Sequence, residues 1–217
     1  MPKKDGISLS VIKRLPRYYR FLGMLLQDGT TRISSKELAQ RMKLTASQIR
    51  QDLNCFGGFG QQGYGYNVES LHQAIGKILG LQRHLPIILV GAGNLGKAIA
   101  RQMDFDEAGF ELIGIFDKSP EVVGRVIRGL TVQDASELEA FCITHHPVVA
   151  ILTIPREAAD SMAQMLVSRG IKGFWNFTTH DISHQLDPSI TVENVHLCDS
   201  LMTLCYQVND QLFPDED

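Results

Sequence analysis

The residues that most restrict how this chain can fold are LPIILVGAGNLGKAIARQM, positions 85–103. Residues 87–90 form an unbroken apolar run, the pattern of a parallel strand buried on both faces. Gly91, Gly93 and Gly96 then complete G-x-G-x-x-G, and residues 95–103 return to helical spacing. Strand, glycine turn and helix in that order predict a βαβ unit whose backbone amides approach a phosphate. Its candidate contacts are Gly91, Ala92, Gly93, Asn94, Leu95 and Gly96. A second apolar run, FELIGIFD, ends at Asp117, 21 residues beyond Gly96. An acid at that distance accepts hydrogen bonds from a ribose and repels a 2′-phosphate, so the expected cofactor is NAD(H). Lys118 beside it is a contrary charge. A nucleotide fragment or coenzyme A is the alternative ligand for such a turn.

Strands and helices continue to alternate downstream. VIRGLTVQDASELEAFC reads as a crossover and PVVAILTIP as a buried strand. REAADSMAQMLVSRG reads as an amphipathic helix ending at Gly170, and IKGFWNF as a further strand. The sum is an α/β chain with a Rossmann-like doubly wound parallel sheet. Such sheets bind ligands at the carboxyl ends of their strands, which marks Thr153 and Pro155. Arg156 either meets the ligand or only opens the next helix. The tail, VENVHLCDSLMTLCYQVNDQLF, sets Leu197, Leu201, Leu204, Cys205, Val208 and Leu212 on one helical face. That face is expected to fold onto its own sheet or to cross into a partner subunit.

Charge divides the chain in two. Residues 1–85 hold 13 Lys/Arg against 5 Asp/Glu, a balance of +8; residues 86–217 hold 8 against 19, a balance of −11. Such a split suggests a polyanion-binding module joined to something else, against the plainer alternative of a basic surface. The motifs favour the module. Apolar residues recur at helical spacing from Ser8 to Leu26, and Pro16 places the expected start of that helix near itself. QDGTTRI breaks the chain. SSKELAQRM then restarts it with Ser34 and Glu37 spaced as a capping box, and KLTASQIRQDLNCF repeats the spacing with Thr45 and Gln48. Two helices joined by a tight turn outline a helix-turn-helix, with a structural helical hairpin as the alternative. The second of them exposes Ser47, Arg50, Gln51 and Asn54 and buries Ile49, Leu53 and Phe56. Those exposed types suit base edges and phosphates. FGGFGQQGYGYNV, rich in glycine and aromatic residues, reads as a β-hairpin wing carrying Gln62 and Tyr64, and Asn67 caps a further helix. Helices followed by a wing make an amino-terminal winged helix-turn-helix whose partner is double-stranded DNA.

No apolar run approaches the roughly 20 residues of a membrane span, and MPKKDGISLSVIKRLPRYYR lacks the apolar core of a secretory signal. The expectation is a cytoplasmic protein with no membrane partner. Cys55, Cys142, Cys198 and Cys205 form no C-x-x-C pair, so no metal site is expected. They read as small core residues, with a redox thiol as the alternative. The expected divisions are 1–84, a winged-helix DNA-binding domain; 85–195, a Rossmann-like NAD(H)-binding domain; and 196–217, a C-terminal dimerisation helix.

SSKELA, QIRQDLNCFGGFG, GYGY, VGAGNLGKAIA, GIFD, TIPREAA, GIKGFWNF and ENVHL together resemble the Rex family of redox-sensing transcriptional repressors over essentially the whole chain. The resemblance implies a homodimer with swapped C-terminal helices. Such a dimer holds operator DNA when free or loaded with NAD+ and leaves it when NADH binds. It also implies an interdomain switch formed by Arg20 and an acid near the final helix. His196 stands where that acid is usual, and Asp199, one turn on, is the candidate substitute. Gln51 and Gln62 replace cations usual in the family's recognition helix and wing. Gln102 replaces a tyrosine near the nicotinamide, and NFTT replaces a more apolar sequence there. A divergent dimer whose nucleotide site no longer reads redox state is one alternative function. An NAD-dependent dehydrogenase is another, but little chain is left for a substrate domain. His180 and His184 have no orienting partner legible in the sequence, so no catalytic residue is expected.

Overall fold

Val11, Leu15, Tyr18, Leu22 and Leu25, spaced as one helical stripe, are buried along helix α1 (Leu9–Gln27). The computed structural model describes residues 7–61 and 64–213. The helix does not start near Pro16, as expected, but about two turns earlier, after the extended Ser8. An interior proline costs about 3 kcal/mol because it removes one backbone donor and crowds the preceding turn. Here the stripe on both sides of Pro16 packs into a single core, and that burial outweighs the local cost.

The chain divides into two units, Met1–Arg83 and His84–Asp217. In the first, α1 is followed by β1 (Arg32–Ile33), α2 (Ser35–Met42), α3 (Ala46–Asn54), β2 (Gly60–Gln61), β3 (Gly65–Asn67) and α4 (Val68–Leu79). The capping box of α2 is complete: Ser34 accepts from the Glu37 amide, and the Glu37 carboxylate accepts from Ser34. That of α3 is half made. Thr45 accepts from the Gln48 amide, but the Gln48 side chain turns away to Asp52. Strand β1, hidden in the segment read as a chain break, pairs antiparallel with β3. Strand β2 pairs with the other edge of β3, so the wing is a three-stranded sheet in the order β1-β3-β2.

The second unit runs β4 (Leu85–Val90), α5 (Asn94–Gln102), β5 (Phe110–Asp117), β6 (Val126–Ile127), β7 (Leu130–Asp134) and α6 (Leu138–His145). Then follow β8 (Val149–Leu152), α7 (Arg156–Ser168), β9 (Gly173–Asn176), β10 (Thr191–Asn194) and α8 (Leu197–Leu212). Its seven strands lie in the order β10-β9-β8-β4-β5-β7-β6, parallel except for the β6–β7 hairpin. The expected plain crossover between β5 and α6 therefore carries two strands of the sheet, β6 and β7. Residues 192–194, the first of the tail and part of the expected 85–195 division, belong to β10, whose Val192 packs on the core.

The apolar run of β4 serves two cores. Ile87 and Leu89 pack on the α5 face, while Ile88 and Val90 pack on the opposite face beneath α6 and α7. On the α5 face the half of the sheet formed by β8, β9 and β10 carries no helix among the described residues. It forms an apolar groove of about 610 Å³ lined by Leu85, Met103, Phe105, Val149, Trp175 and Thr191, among others. Helix α8 buries none of its residues; Leu197, Leu201, Leu204 and Leu212 are all more than half exposed. The cysteine expectation holds only for Cys142. Cys55 sits at the open end of α3, and Cys198 and Cys205 lie on uncovered α8, so all three are exposed.

Candidate functional site

Helix α3 owes its position to a polar group. Asp52 is completely buried, at the helical spacing (49, 52, 53, 56) that also places Ile49, Leu53 and Phe56 against the core. Its carboxylate accepts two bonds from Arg14, at 2.6 and 2.7 Å, one from the Tyr18 hydroxyl at 2.7 Å and one from Gln48 at 2.8 Å. Burial alone would raise its pKa, but these hydrogen bonds outweigh burial and hold it below the ordinary carboxylate range. Burial, together with the bond to Asp52, pushes the Tyr18 hydroxyl in the opposite direction, well above its usual value. This cluster joins residues up to 38 positions apart and is not legible in the sequence. Its one visible signal was an acid standing in an apolar stripe.

With that side of α3 pinned inward, Ser47, Arg50, Gln51 and Asn54 are all exposed together. The Arg50 guanidinium lies 3.4 Å from the hydroxyls of Ser35 and Ser47, at the junction of α2 and α3. In the wing, Tyr64 is 70% exposed, and its carbonyl accepts a 3.4 Å bond from Arg32 of β1. Arg32 is thus a cation beside the wing that sequence spacing did not single out. Gln62 lies outside the described residues. Arg20 is exposed on α1, next to a small cavity of about 150 Å³ also lined by Arg17 and Arg41. The exposed side chains of α3, with Arg32 at the wing, are hydrogen-bond donors and cations of the kind that suit a polyanion.

In the second unit the glycine turn leaves the end of β4. Gly91 has φ +99°, and a Cβ there would lie 2.5 Å from the Thr153 carbonyl oxygen. A Cβ on Gly96 would lie 1.9 Å from the Gly91 carbonyl oxygen. Both glycines are required by the packing of the turn on itself and on β8. Gly93 differs: a Cβ there meets nothing within 4 Å, so the space above it is open. Gly93 is also the N-cap of α5 and brings no side-chain cap, which leaves the first amides of the helix facing outward beside exposed Asn94 and Leu95. Open space above bare helix-start amides fits a phosphate.

Asp117 ends β5 beside that turn. Its Oδ2 accepts from the Ala92 amide at 2.6 Å and its Oδ1 from the Ser119 amide at 2.8 Å. The Ala92 amide is therefore committed within the protein, while the remaining lone pairs of the carboxylate stay available to ribose hydroxyls. Lys118 is exposed beside it. Thr153 follows β8 and donates its hydroxyl to the Gly91 carbonyl at 2.6 Å; Pro155 opens α7. Strands β4 and β8 are neighbours that leave the sheet for opposite sides, which is the crevice where a doubly wound sheet takes a dinucleotide. The residues present fit that ligand.

His180 does have an orienting partner, on a different element. Its Nε2 lies 3.0 Å from both carboxylate oxygens of Asp160 on α7. Gln102 is the exposed last residue of α5, His196 is the N-cap of α8 without a side-chain cap bond, and Asp199 is exposed in the first turn of α8. No group of three or more His, Cys, Asp or Glu suited to a metal occurs among the described residues.

Two family models match the chain: residues 6–54 match "Putative DNA-binding protein N-terminus" and residues 82–180 match "CoA binding domain". The chain is 51% identical to the redox-sensing transcriptional repressor Rex of Caldanaerobacter subterraneus subsp. tengcongensis over 97% of this chain and 93% of the relative. It is 51% identical to that of Clostridium perfringens over 96% of this chain and 98% of the relative. Among solved structures, that of RSP, a Rex-family repressor, with NAD+ and operator DNA superimposes with a TM-score of 0.87 at 47% identity, covering 99% of this chain and 100% of the other. The RSP structure with NADH superimposes with a TM-score of 0.89 at 46% identity and the same coverage.

Proposed function

The chain belongs to the Rex family of redox-sensing transcriptional repressors, and we propose that it holds operator DNA through its first unit and releases it when NADH binds the second. The observation that carries this reading is one chain combining an exposed polar recognition face with a glycine turn open at Gly93. Residues 1–84 are the DNA-binding part, 85–195 the NAD(H)-binding part and 196–217 the dimerisation helix. Arg50 reads a base edge or clamps a phosphate. Ser47, Gln51, Asn54, Gln62 and Tyr64 complete the contact. Gly93, Asn94, Leu95 and Gly96 receive the pyrophosphate, with Gly91, Ala92, Thr153 and Pro155 shaping the turn. Asp117 holds the adenosine ribose, with Lys118 at its rim. When bound, the dinucleotide supplies a ring that is cationic when oxidised and neutral when reduced.

The assembly is a homodimer. Two apolar surfaces of the second unit, the groove along β8–β10 and the face of α8, have no cover among the described residues. Leaving both in water is costly in proportion to their area, and a second copy covers them. Arg20 and Asp199 are the interdomain switch, with DNA and NADH each favouring a different state of the dimer, so that each weakens binding of the other. No helix among the described residues is long and apolar enough to cross a membrane. The protein acts in the cytoplasm, as a repressor and not as an enzyme.

The test is fluorescence anisotropy on a labelled pseudo-palindromic operator, titrated separately with NADH and NAD+. Release by NADH at concentrations where NAD+ has little effect is the expected outcome. An equal response to both, or to neither, overturns the redox-sensing reading.

A further inference from the structure

On α3, Arg50 and Gln51 are exposed and Ile49 and Asp52 are buried, while Gln48 lies half-buried on the border between the two faces. It is the third residue of the helix after the N-cap Thr45, and the start of a recognition helix is the part that meets base edges. A glutamine at that position ordinarily closes a capping box by accepting from the N-cap amide. Here Gln48 instead donates Nε2 to Oδ1 of Asp52 at 2.8 Å. Asp52 is ionised, its pKa held down by the bonds from Arg14, Tyr18 and Gln48, so its carboxylate only accepts. That fixes which way round the Gln48 amide lies. Its nitrogen must face Asp52, and the planar amide then keeps Oε1 on the other side of Cδ. Among the described residues Oε1 accepts no hydrogen bond, and no buried side-chain oxygen or nitrogen lacks a partner, so Oε1 is open to solvent.

We propose that Gln48, with its amide turned by Asp52, is a further sequence-reading residue of the operator contact, its Oε1 accepting from the amino group of an adenine or a cytosine in the major groove. This rests on the reading that α3 is the recognition helix of a DNA-binding unit. An acceptor selects a donor, and the donors that base edges offer in the major groove are those two amino groups. A glutamine free to rotate its amide would present a donor or an acceptor in turn and tolerate more than one base. Locked by a buried carboxylate, it presents the acceptor alone. Asp52 is thus a positioning residue, acting on the operator through Gln48. One such hydrogen bond changes affinity about fivefold.

The experiment measures, by anisotropy, dissociation constants of the full-length wild-type protein, Gln48→Met, Gln48→Ala and Asp52→Asn for the pseudo-palindromic operator and for a scrambled duplex. It adds operators in which each adenine is replaced in turn by purine and each cytosine by 2-pyrimidinone, bases that lack only the amino group. At one position per half-site the deletion should cost wild type about fivefold through this contact and cost Gln48→Met, which keeps the side-chain length without the amide, nothing. Asp52→Asn offers the amide both a donor and an acceptor, and should blunt the discrimination at that same position. Deletions that cost Gln48→Met and Gln48→Ala as much as wild type at every position would overturn the proposal. So would an equal loss by both variants on operator and scrambled duplex, which marks a purely structural role. Undiminished discrimination by Asp52→Asn would overturn the orienting role of Asp52; if that variant does not fold, the two Gln48 variants decide the proposal. Wild-type protein that does not prefer the operator to the scrambled duplex removes the DNA-reading assignment of α3 and this proposal with it. A wild-type preference with an unaltered profile in the Gln48 variants removes this proposal alone.

Discussion

Helix α3 is held by side chains, chiefly Asp52 with Arg14, Tyr18 and Gln48, whereas the turn before α5 is held by backbone and by the lack of side chains at Gly91 and Gly96. The difference follows from what each element must present. A face that reads DNA needs side chains outward, so its orientation has to be set from the inward side, and a buried carboxylate with four hydrogen bonds sets rotation as well as depth. A turn that lets a phosphate approach its amides needs bare backbone outward. It can only be set by contacts so close that no Cβ fits between them. One element is therefore sensitive to losing a group and the other to gaining one.

The strongest way to break this contrast is at the turn. Gly96→Ala places a methyl 1.9 Å from the Gly91 carbonyl oxygen and should abolish NADH binding, lowering the melting temperature of the second unit as the turn is forced apart. Gly93→Ala meets nothing within 4 Å and should leave that melting temperature unchanged, with a loss confined to ligand affinity. Calorimetry and NADH fluorescence titration on both variants separate the two effects. Equal destabilisation would mean that the open space above Gly93 is not there in solution.

Next in size is Asp52→Ala, expected to destabilise the first unit by about 3–5 kcal/mol, because it strands the buried Tyr18 hydroxyl and removes the partner of Arg14. Urea unfolding measures it. The pH dependence gives the sign. Since the folded-state pKa of Asp52 is depressed, its contribution is fully present above the unfolded value of about 3.9 and is lost as pH falls through the folded value. The gap in stability between wild type and Asp52→Asn should therefore narrow below about pH 4. A gap independent of pH would show that the charge on Asp52 is not what pins the helix.

Arg50→Ala should have the smallest effect on the fold, none in urea unfolding, because the side chain is exposed and its two hydroxyl contacts are long. Operator binding should weaken by about 1–3 kcal/mol, read by anisotropy. A variant that binds operator as tightly as wild type would remove Arg50 from the contact surface.

Much of this was legible in the residues because the signals were local. Ser34–Glu37 are three apart and make their capping box in the structure; Gly91, Gly93 and Gly96 declare their turn within six residues. What escaped the reading was non-local or contradicted a local rule. Pro16 is a breaker overruled by a stripe that buries on both sides of it. Strand β1 is two residues long and exists through its pairing with Tyr66 and Asn67. The spacing of Thr45 and Gln48 promised a reciprocal box, but Asp52 offered Gln48 a buried acceptor. His180 lacked a visible partner because Asp160 lies 20 residues upstream, on the helix before β9.

The sequence by itself determined the two units, the order of most elements, the glycine turn and the polar face of α3, since each is written in short-range periodicity, in caps or in residues that tolerate only one backbone conformation. The tertiary structure decided which polar groups meet: buried Asp52 with Arg14 and Tyr18, half-buried Asp160 with His180, the Ala92 amide with Asp117. It also decided that α8 and the sheet face along β8–β10 remain uncovered by the described residues. A charge buried from water takes whichever partner the packing brings within 3 Å, and sequence distance does not enter that energy.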